Sequence, residues 1–268
     1  MSVTTAAGLA EMAGISRSYL YYLKAHGIIN VGTSASGRAV WDTGIAAQIK
    51  RYKKASRKSG KREPAGCKTC RINNRRYLGN KYKLLPFIKK VAARECGTVN
   101  TVADIFSGTG SAASVFAGKK VILNDILYSN YICNFAWFGA LPFSREKVTE
   151  LIIYYNKADA SGSNYMTENF SGTYFSRENC AKIGFIREDI ERRFKSGVIN
   201  GRERALLITS LIYAMDKIAN TCGHYDAYRK NAPLCKKLVM RVPVPPEPSN
   251  PGNLCLNMDA NELVRHIE

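Results

Sequence analysis

One stretch of the chain, residues 101–125, constrains the fold more strongly than any other. It opens with an apolar run that ends at Phe106 and is long enough for a buried strand. The turn Ser107-Gly108-Thr109-Gly110 follows, and its missing side chains let a ligand approach the backbone. Residues 111–117 can then form a helix whose free amide groups face that turn, before a second apolar strand leads to Asp125. Strand, Gly-rich turn, helix, strand and terminal carboxylate together predict half of a nucleoside-binding α/β unit.

Asp125 is the residue of this stretch that most favours a nucleoside site. A Gly-rich turn by itself is equally typical of a tight strand-to-helix connection in any α/β protein. The Asn124-Asp125 pair at the end of the second strand favours the nucleoside interpretation. A carboxylate in that place can accept hydrogen bonds from ribose hydroxyls.

The charge balance indicates a polyanionic partner. The 268 residues include 40 Lys and Arg against 21 Asp and Glu, which gives a formal net charge of +19 and a pI near 9.7. Nucleic acid is the partner that such a charge favours, and a membrane surface is the alternative. We expect no membrane attachment, because the sequence shows no apolar run long enough to span a bilayer, no lipidation motif and no secretory signal.

The cysteines indicate a reducing, cytoplasmic setting. Eight of them are spread along the chain without a paired pattern. The one close pair, Cys67 and Cys70, has neither a second pair nor suitably spaced histidines, so we expect two solvated thiols and no metal site. The surrounding residues, 59–74, are rich in Lys and Arg and predict a basic linker. Such a linker either tracks a phosphate backbone or makes no direct contact.

The N-terminal residues, 1–58, predict a small helical DNA-binding domain. Thr4 or Thr5 can cap a first helix, and Ser16 can cap a second one after a break at Gly14. Two short helices around a Gly-containing turn form the helix-turn-helix pattern, and the alternative is a helical hairpin whose side chains only pack. The residues that we expect to contact phosphates and base edges are Arg17, Ser18, Tyr19 and Arg38.

A wing and a third helix are predicted to complete this domain. Residues 28–41 combine a short apolar piece, a Gly/Ser-rich turn and an aromatic end, and Asp42 can cap the helix that follows. With the pattern from Leu9 to Ser16 opening the domain, this order resembles the winged helix-turn-helix of MerR-type transcription regulators. The resemblance implies binding to duplex DNA without indicating a preferred sequence.

A further motif, Tyr77-Leu78-Gly79-Asn80-Lys81, precedes a predicted helix. The lysine near the start of that helix is unfavourable against the helix dipole, so an anionic ligand group nearby would explain its presence. Farther along the chain, residues 205–219 predict a long, largely buried helix. Five prolines within residues 242–251 predict an extended connection instead of a regular element.

Three of these motifs follow one another along the chain: the 77–81 motif, the loop from Asp104 to Ser111, and Asn124-Asp125. Their order and spacing resemble the Dam-like adenine-specific DNA methyltransferases, including the modification enzymes of restriction systems. The resemblance covers residues 75–268 and implies a Rossmann-like α/β domain that binds S-adenosylmethionine. It further implies a site-specific enzyme that transfers the methyl group to the exocyclic amine of adenine in duplex DNA.

The same resemblance implies which residues bind the cofactor. Tyr77 and Lys81 belong to the family motif that lines the methionine end. Asp125 is expected on the ribose hydroxyls, and Asp259 is similar to the acidic residue that family members place near the adenine amine. The implied cofactor residues are Tyr77, Lys81, Phe106, Ser107, Gly108, Gly110, Asp125 and Asp259.

The acceptor side of the reaction has no counterpart in the sequence. In the family, an Asp-Pro-Pro-Tyr segment holds the amine of a flipped base in line with the methyl group. Pro245-Pro246 lies between Val244 and Glu247, so it does not match that segment. We therefore expect the N-terminal part of a methyltransferase, from a truncated or split gene, a frameshift or trimming. Such a chain would have an incomplete methyltransferase domain and no catalytic residue, would be inactive alone, and would have duplex DNA and the missing C-terminal part as partners.

Other functions stay open at this point. A DNA-binding regulator that acts through the helix-turn-helix without methylation is the alternative function. RNA methylation is a third, although the N-terminal domain favours duplex DNA. The loop with His224, Tyr225 and Asp226 faces DNA or the cofactor in one interpretation and is a structural turn in the other.

Overall fold

Two groups of apolar residues form separate hydrophobic cores, and the chain divides accordingly into Met1–Pro64 and Ala65–Glu268. The computed structural model describes residues 3–13, 20, 24, 29, 31–34, 36, 39–50, 68–72, 75, 79–222, 225–247 and 249–267. Each unit is therefore described by itself.

The first unit contains a short helix and a small antiparallel sheet. Helix α1 (Ala6–Ala13) begins after Thr5, whose hydroxyl accepts a hydrogen bond from the Gly8 amide at 3.1 Å. This contact confirms the predicted cap at Thr5. The strands of the sheet, in the spatial order β1-β3-β2, are β1 (Val3–Thr4), β2 (Gly32–Thr33) and β3 (Ala39–Asp42).

The predicted cap at Asp42 is also confirmed. Asp42 ends β3, its Oδ1 accepts a hydrogen bond from the Gly44 amide at 2.6 Å, and residues 44–50 are helical. Most of the predicted second helix lies outside the described residues, as do the four expected DNA contacts, Arg17, Ser18, Tyr19 and Arg38. The buried core of the unit includes Leu9, Leu20, Ile29, Trp41, Ile45 and Ile49.

A parallel sheet lies at the centre of the second unit, as predicted. Strand β5 (Thr101–Asp104) pairs with β6 (Lys120–Asn124), and β6 pairs with β8 (Leu254–Leu256). Both pairings are parallel, which agrees with the α/β arrangement expected of a methyltransferase domain. The spatial order β5-β6-β8 brings a strand near the C-terminus next to one that precedes it by more than a hundred residues.

The turn after β5 differs from the sequence prediction in two ways. The strand ends at Asp104, before Phe106, and the helix predicted over 111–117 is a short 3₁₀ helix, Ala113–Phe116. The Ser114 hydroxyl donates to the Ser111 carbonyl at 2.6 Å, and this local bond competes with the helical pattern of the backbone.

Helices form most of the rest of this unit. They are α2 (Leu85–Glu95), α3 (Tyr128–Phe138), α4 (Arg145–Lys157), α5 (Tyr165–Phe170), α6 (Arg177–Lys195), α7 (Gly201–Ile218) and α8 (Ala260–Leu263). Helix α7 begins four residues earlier than predicted because Asn200 caps its polar first turn, with Glu203 completing a capping box. It packs against both α3 and α6, and these helices form a helical layer.

A buried carboxylate joins two of these helices. Asp189 of α6 accepts hydrogen bonds from the Tyr155 hydroxyl of α4 at 2.9 Å and from Arg193 Nε at 2.6 Å, and it also pairs with Arg192. Burial alone would raise the pKa of Asp189, but the hydrogen bonds from Arg193 and Tyr155 outweigh it and lower the pKa below its usual range. This carboxylate is therefore a charged contact within the helical layer.

The prediction of a solvated linker is wrong for residues 68–72. Strand β4 (Thr69–Cys70) pairs in parallel with β7 (Val242–Pro243), and Cys70 and Ile72 are part of the hydrophobic core. The Tyr213 hydroxyl also donates to the Ile72 carbonyl at 2.9 Å. The Cys70 thiol is consequently buried instead of solvated, whereas Cys67 and the rest of the predicted linker through residue 67 lie outside the described residues.

The described part of the chain lacks two kinds of feature. No helix within it is long and apolar enough to cross a membrane. The same residues contain no group of three or more His, Cys, Asp or Glu side chains that could hold a metal ion.

Candidate cofactor-binding site

The Gly-rich loop after β5 is bonded to the end of β6. The amide and the hydroxyl of Ser107 both donate to the Asn124 carbonyl at 2.9 Å. Gly108 and Gly110 have φ values of 53° and 73°, a backbone conformation that residues other than glycine rarely adopt. A Cβ atom at Gly110 would also lie 2.3 Å from the Asn134 Oδ1 atom, so this position requires glycine twice over.

The Asp125 carboxylate lies directly beside this loop. Its Oδ2 accepts a hydrogen bond from the Gly108 amide at 2.8 Å, and its Oδ1 accepts one from the Leu127 amide at 2.9 Å. Each carboxylate oxygen can accept a further bond, and the residue is only partly buried. The side chain can therefore hold the loop and still accept hydrogen bonds from a ligand hydroxyl.

A second carboxylate, Asp104, ends the neighbouring strand. Burial raises the pKa of Asp104 above its usual range, the backbone amide of Phe106 and the charge of Lys81 oppose that rise, and the Asp125 charge adds to it. Lys81, one of the predicted site residues, is exposed and donates to the Gly79 carbonyl at 3.3 Å. The site thus holds two carboxylates and a lysine within electrostatic reach of one another.

Asn80 connects the predicted N-terminal motif to the Gly-rich loop. Its Oδ1 accepts hydrogen bonds from the Tyr82 amide and from the Ser111 hydroxyl, both at 3.1 Å. Its Nδ2 donates to the Arg75 carbonyl at 3.1 Å. The motif and the loop are therefore in direct contact, although Tyr77 lies outside the described residues.

Asn124 connects the loop to the segment that contains Asp259. Its Nδ2 donates to the carbonyls of Ile105 at 3.2 Å and Met258 at 2.9 Å, and its Oδ1 accepts from the Met258 amide at 3.1 Å. Asn257 Nδ2 donates to the Asp125 carbonyl at 2.7 Å. Asp259 therefore follows a segment that is fixed beside Asp125.

Asp259 itself caps a helix. Its Oδ1 accepts a hydrogen bond from the Asn261 amide at 2.7 Å at the start of α8. The capping bond engages Oδ1, and the second carboxylate oxygen takes no part in it. A contact between Asp259 and the adenine of a cofactor stays a prediction.

Asn134 of α3 holds the Gly-rich loop through its side-chain amide. Its Nδ2 donates to the Ser107 hydroxyl at 2.7 Å and to the Gly108 carbonyl at 3.3 Å. Its Oδ1 is buried without a hydrogen-bond partner among the described residues, because it faces the Cα of Gly110. Asn80, Asp104 and Asn134 were not among the predicted site residues. Asn80 and Asp104 lie within motifs that the sequence shows, whereas Asn134 has no such signal.

Apolar side chains flank the carboxylates. Phe106 and Ile126 are 76% and 65% exposed, which is unusual for residues of their size. A cavity of about 280 Å³ lies against β5 and β6 and is lined by Val102, Asp104, Phe106, Phe116 and Leu123. Exposed apolar surface suits a nucleobase face, and the neighbouring carboxylates suit hydroxyl and amine groups, so these residues fit a nucleoside-containing cofactor.

Comparison with known proteins shows which family the chain matches. The family of D12 class N6 adenine-specific DNA methyltransferases matches residues 77–267. The chain is similar to the modification methylase LlaI of Lactococcus lactis subsp. lactis, with 32% identity over 211 residues, 72% of this chain and 34% of that protein. It is also similar to the type II methyltransferase M.NlaIII of Neisseria lactamica, with 30% identity over 213 residues, 71% of this chain and 60% of that protein.

A third relative is the type II methyltransferase M.FokI of Planomicrobium okeanokoites, with 31% identity over 210 residues, 72% of this chain and 32% of that protein. The chain thus spans between 32% and 60% of the length of these three relatives. No solved structure gives a significant match.

Proposed function

Because the chain belongs to the D12 class of N6 adenine-specific DNA methyltransferases, we propose that its second unit binds S-adenosylmethionine for methylation of the exocyclic amine of adenine in duplex DNA. The observation that carries this proposal is the Asp125 carboxylate beside the Gly-rich loop at the ends of two parallel strands. This arrangement is the usual place of a ribose in nucleoside-binding α/β folds.

The proposed roles follow the chemistry of each side chain. Asp125 accepts hydrogen bonds from the ribose hydroxyls, and Phe106 and Ile126 lie against the adenine. Lys81, with Tyr77 of the same motif, binds the carboxylate at the methionine end, and Asp259 faces the adenine amine. When bound, the cofactor supplies an activated methyl group, and the residues of this chain hold it in a fixed orientation.

The acceptor pocket is proposed to form at the free edge of β5. The sequence contains no Asp-Pro-Pro-Tyr segment. Among the described strands, β5 lies at one edge of the sheet. Helix α2, which precedes β5 in the chain, has no buried residue, and Phe87 on it and Leu84 just before it are more than half exposed. An unpaired strand edge beside exposed apolar side chains supports the addition of a further strand there. We propose that such a strand carries the acceptor groups, and that without it this chain does not methylate DNA.

Calorimetry with S-adenosylmethionine tests the cofactor proposal. The wild-type chain is expected to bind, and Asp125→Asn is expected to weaken binding about tenfold or more, which is the usual loss for a charged hydrogen-bond set. Glu95→Gln, which removes an exposed carboxylate of α2, is the matched control and should bind like the wild type. Equal affinities in all three chains would remove Asp125 from the site.

A methylation assay tests the acceptor proposal. The chain is incubated with tritiated S-adenosylmethionine and a random-sequence duplex, and incorporation should not exceed that of a blank without protein. Clear incorporation by the chain alone would show that its own residues form an acceptor pocket.

The first unit is proposed to be a winged helix-turn-helix domain that binds duplex DNA through Arg17, Ser18, Tyr19 and Arg38. The net charge of +19 supports this second candidate, and so do helix α1, the antiparallel strands and the helix of residues 44–50. We also propose a cytoplasmic setting, which the free thiols support. Replacing Arg17 and Arg38 by Gln should lower the slope of log affinity against log salt by about one for each phosphate that the protein no longer neutralises. An unchanged slope would favour a helical hairpin that only packs.

A further inference from the structure

A long exposed loop between α7 and β7 has a strongly basic and aromatic surface. We name residues 225–237 the basic loop; its exposed cations are Arg229, Lys230, Lys236 and Lys237, and its sequence contains a single carboxylate, Asp226. Tyr225 and Tyr228 are 44% and 42% exposed in the same loop. Cations that bind phosphates and rings that stack on bases together fit a nucleic acid.

The basic loop is fixed to the rest of the second unit at three points. The Tyr174 hydroxyl donates to the Tyr225 carbonyl at 2.8 Å, and Asn220 Nδ2 donates to the Arg229 carbonyl at 2.9 Å. Asn179 Nδ2 donates to the Lys236 carbonyl at 2.7 Å. The backbone of the basic loop therefore has a defined position, so that binding of nucleic acid there can affect the residues that the loop contacts.

One side chain of the basic loop reaches a buried ion pair. The Tyr225 hydroxyl lies 3.3 Å from Asp216 Oδ1, to which it donates a hydrogen bond. Asp216 Oδ2 lies 3.9 Å from Arg75 Nε, and these two side chains are only 5% and 8% exposed. A buried ion pair of this kind is weak support for stability, because apolar residues often replace one without loss, and its best attested use is to fix relative position.

The same arginine contacts the cofactor site by two routes. Its carbonyl accepts from Asn80 Nδ2, and Asn80 Oδ1 accepts from the Ser111 hydroxyl at the end of the Gly-rich loop. Its NH1 group donates to Asn130 Oδ1 at 2.9 Å, and Asn130 lies one turn before Asn134 on α3. Tyr225, Asp216 and Arg75 thus form a polar path that reaches Asn80, which bonds to the Gly-rich loop, and Asn130, which lies on the same helix as Asn134.

We infer that Tyr225 and Asp216 are positioning residues that couple nucleic acid bound at the basic loop to the order of the Gly-rich loop, residues 107–111. The inference rests on the proposed function, since it assumes that the Gly-rich loop holds the cofactor. Its reciprocal consequence is that duplex DNA and cofactor strengthen one another's binding by the same factor.

Amide hydrogen exchange of the full chain tests the coupling without any cofactor. A random-sequence duplex at low salt should slow exchange in peptides that cover residues 107–111 of the wild type. Tyr225→Phe removes only the hydroxyl that reaches Asp216 and should abolish most of this slowing. Tyr165→Phe is the matched control, because it removes an exposed tyrosine hydroxyl of α5 that lies outside the basic loop, and it should keep the wild-type response.

The outcomes separate the possibilities. If the two substitutions behave alike, or if the duplex does not slow exchange at 107–111 in the wild type, the coupling is overturned. Replacing both Arg229 and Lys230 by Gln should reduce the slowing as Tyr225→Phe does, and a full response in that variant would place the duplex elsewhere and overturn the role of the basic loop.

Calorimetry then links the coupling to the cofactor. The duplex should strengthen S-adenosylmethionine binding by about fivefold or more in the wild type and in Tyr165→Phe, but not in Tyr225→Phe. A wild type that binds no S-adenosylmethionine yet shows the exchange response would refute the proposed cofactor and leave the coupling between the two loops standing. Binding without any duplex effect would refute the coupling alone.

Discussion

Two carboxylates of the second unit, Asp125 and Asp189, are both held by several hydrogen bonds, yet they are held in opposite ways. Asp125 accepts from two backbone amides and stays partly exposed at the edge of the sheet. Asp189 is buried between α4 and α6 and accepts from a tyrosine and an arginine, with a second arginine beside it. Backbone amides leave the outer face of a carboxylate open to a ligand, whereas long side chains close around it. The kind of donor, backbone amide or long side chain, therefore distinguishes a ligand-binding carboxylate from a structural one better than the burial of the carboxylate does.

The largest expected effect is on the structural side. Asp189→Asn removes the charge that neutralises Arg193 within the helical layer and should lower the free energy of unfolding by about 3 kcal/mol. Urea unfolding followed by circular dichroism measures the loss. Glu188→Gln, an exposed neighbour on α6, should stay within about 0.5 kcal/mol of the wild type. A similar small change for Asp189→Asn would mean that the cluster contributes little to stability.

The same carboxylate should give the stability of the protein an acid dependence. Since the pKa of Asp189 is lower in the folded chain than in the unfolded one, its contribution is complete above about pH 4 and is lost as the pH falls through the folded pKa. Thermal unfolding measured over the acid range should therefore show a steeper fall for the wild type than for Asp189→Asn. Parallel curves would contradict the lowered pKa.

Next in size is the Gly-rich loop. Gly110→Ala combines an unfavourable positive φ with a clash against Asn134 and should lower the free energy of unfolding by about 2 to 3 kcal/mol. It should also weaken cofactor binding. Gly197→Ala is the control, because its φ of 72° is nearly the same and nothing lies within 4 Å of the added Cβ atom. It should cost about 1 to 2 kcal/mol. Equal losses would show that Asn134 moves away without penalty.

Asp125→Asn should affect cofactor binding strongly and stability weakly, which is the opposite of the expectation for Asp189→Asn. The amide keeps the shape and one acceptor, so the free energy of unfolding should change by about 1 kcal/mol or less while cofactor affinity falls about tenfold. Calorimetry and urea unfolding of the same preparation give both values. A large loss of stability with normal affinity would make Asp125 a structural residue and remove the distinction.

The smallest expected effect concerns Asp104 and its neighbour Lys81. Because the charge of Lys81 lowers the pKa of Asp104, Lys81→Gln should raise that pKa further. Carboxyl chemical shifts followed by NMR as a function of pH detect the change. Lys83→Gln, in the same short 3₁₀ helix, Lys81–Leu84, should leave the Asp104 titration as it is.

Local patterns in the sequence predict much of the cofactor site. Apolar runs, two glycines and a terminal carboxylate predict β5, the loop, β6 and Asp125, because each signal lies within a few residues of the element that it forms. The caps at Thr5 and Asp42 are equally local. The long apolar pattern predicts α7, although its polar first turn hides the true start at Gly201.

Contacts between distant residues explain what the sequence could not predict. The pairing of β4 with β7 joins Cys70 to Pro243, and the Cys70 thiol also contacts the carbonyl of Arg241, 171 positions along the chain. Nothing in the basic segment around Cys70 indicates a buried strand. Asn80 and Asn134 carry no local mark of their contacts to the Gly-rich loop. The helices between residues 141 and 200 have polar sequences with short apolar stretches, so their assignment depends on packing that only the folded unit shows.

The side chain of Asn124 has a consequence for the order of folding events. It bonds at once to Ile105, 19 residues away, and to Met258, 134 residues away, so the end of β6 is complete only when β8 has arrived. Closing so long a segment is entropically costly and slow, and helices α3 to α7 lie within it. In a refolding experiment, the signal of the helices should therefore precede the first nucleoside binding, which would be the last property that the chain acquires.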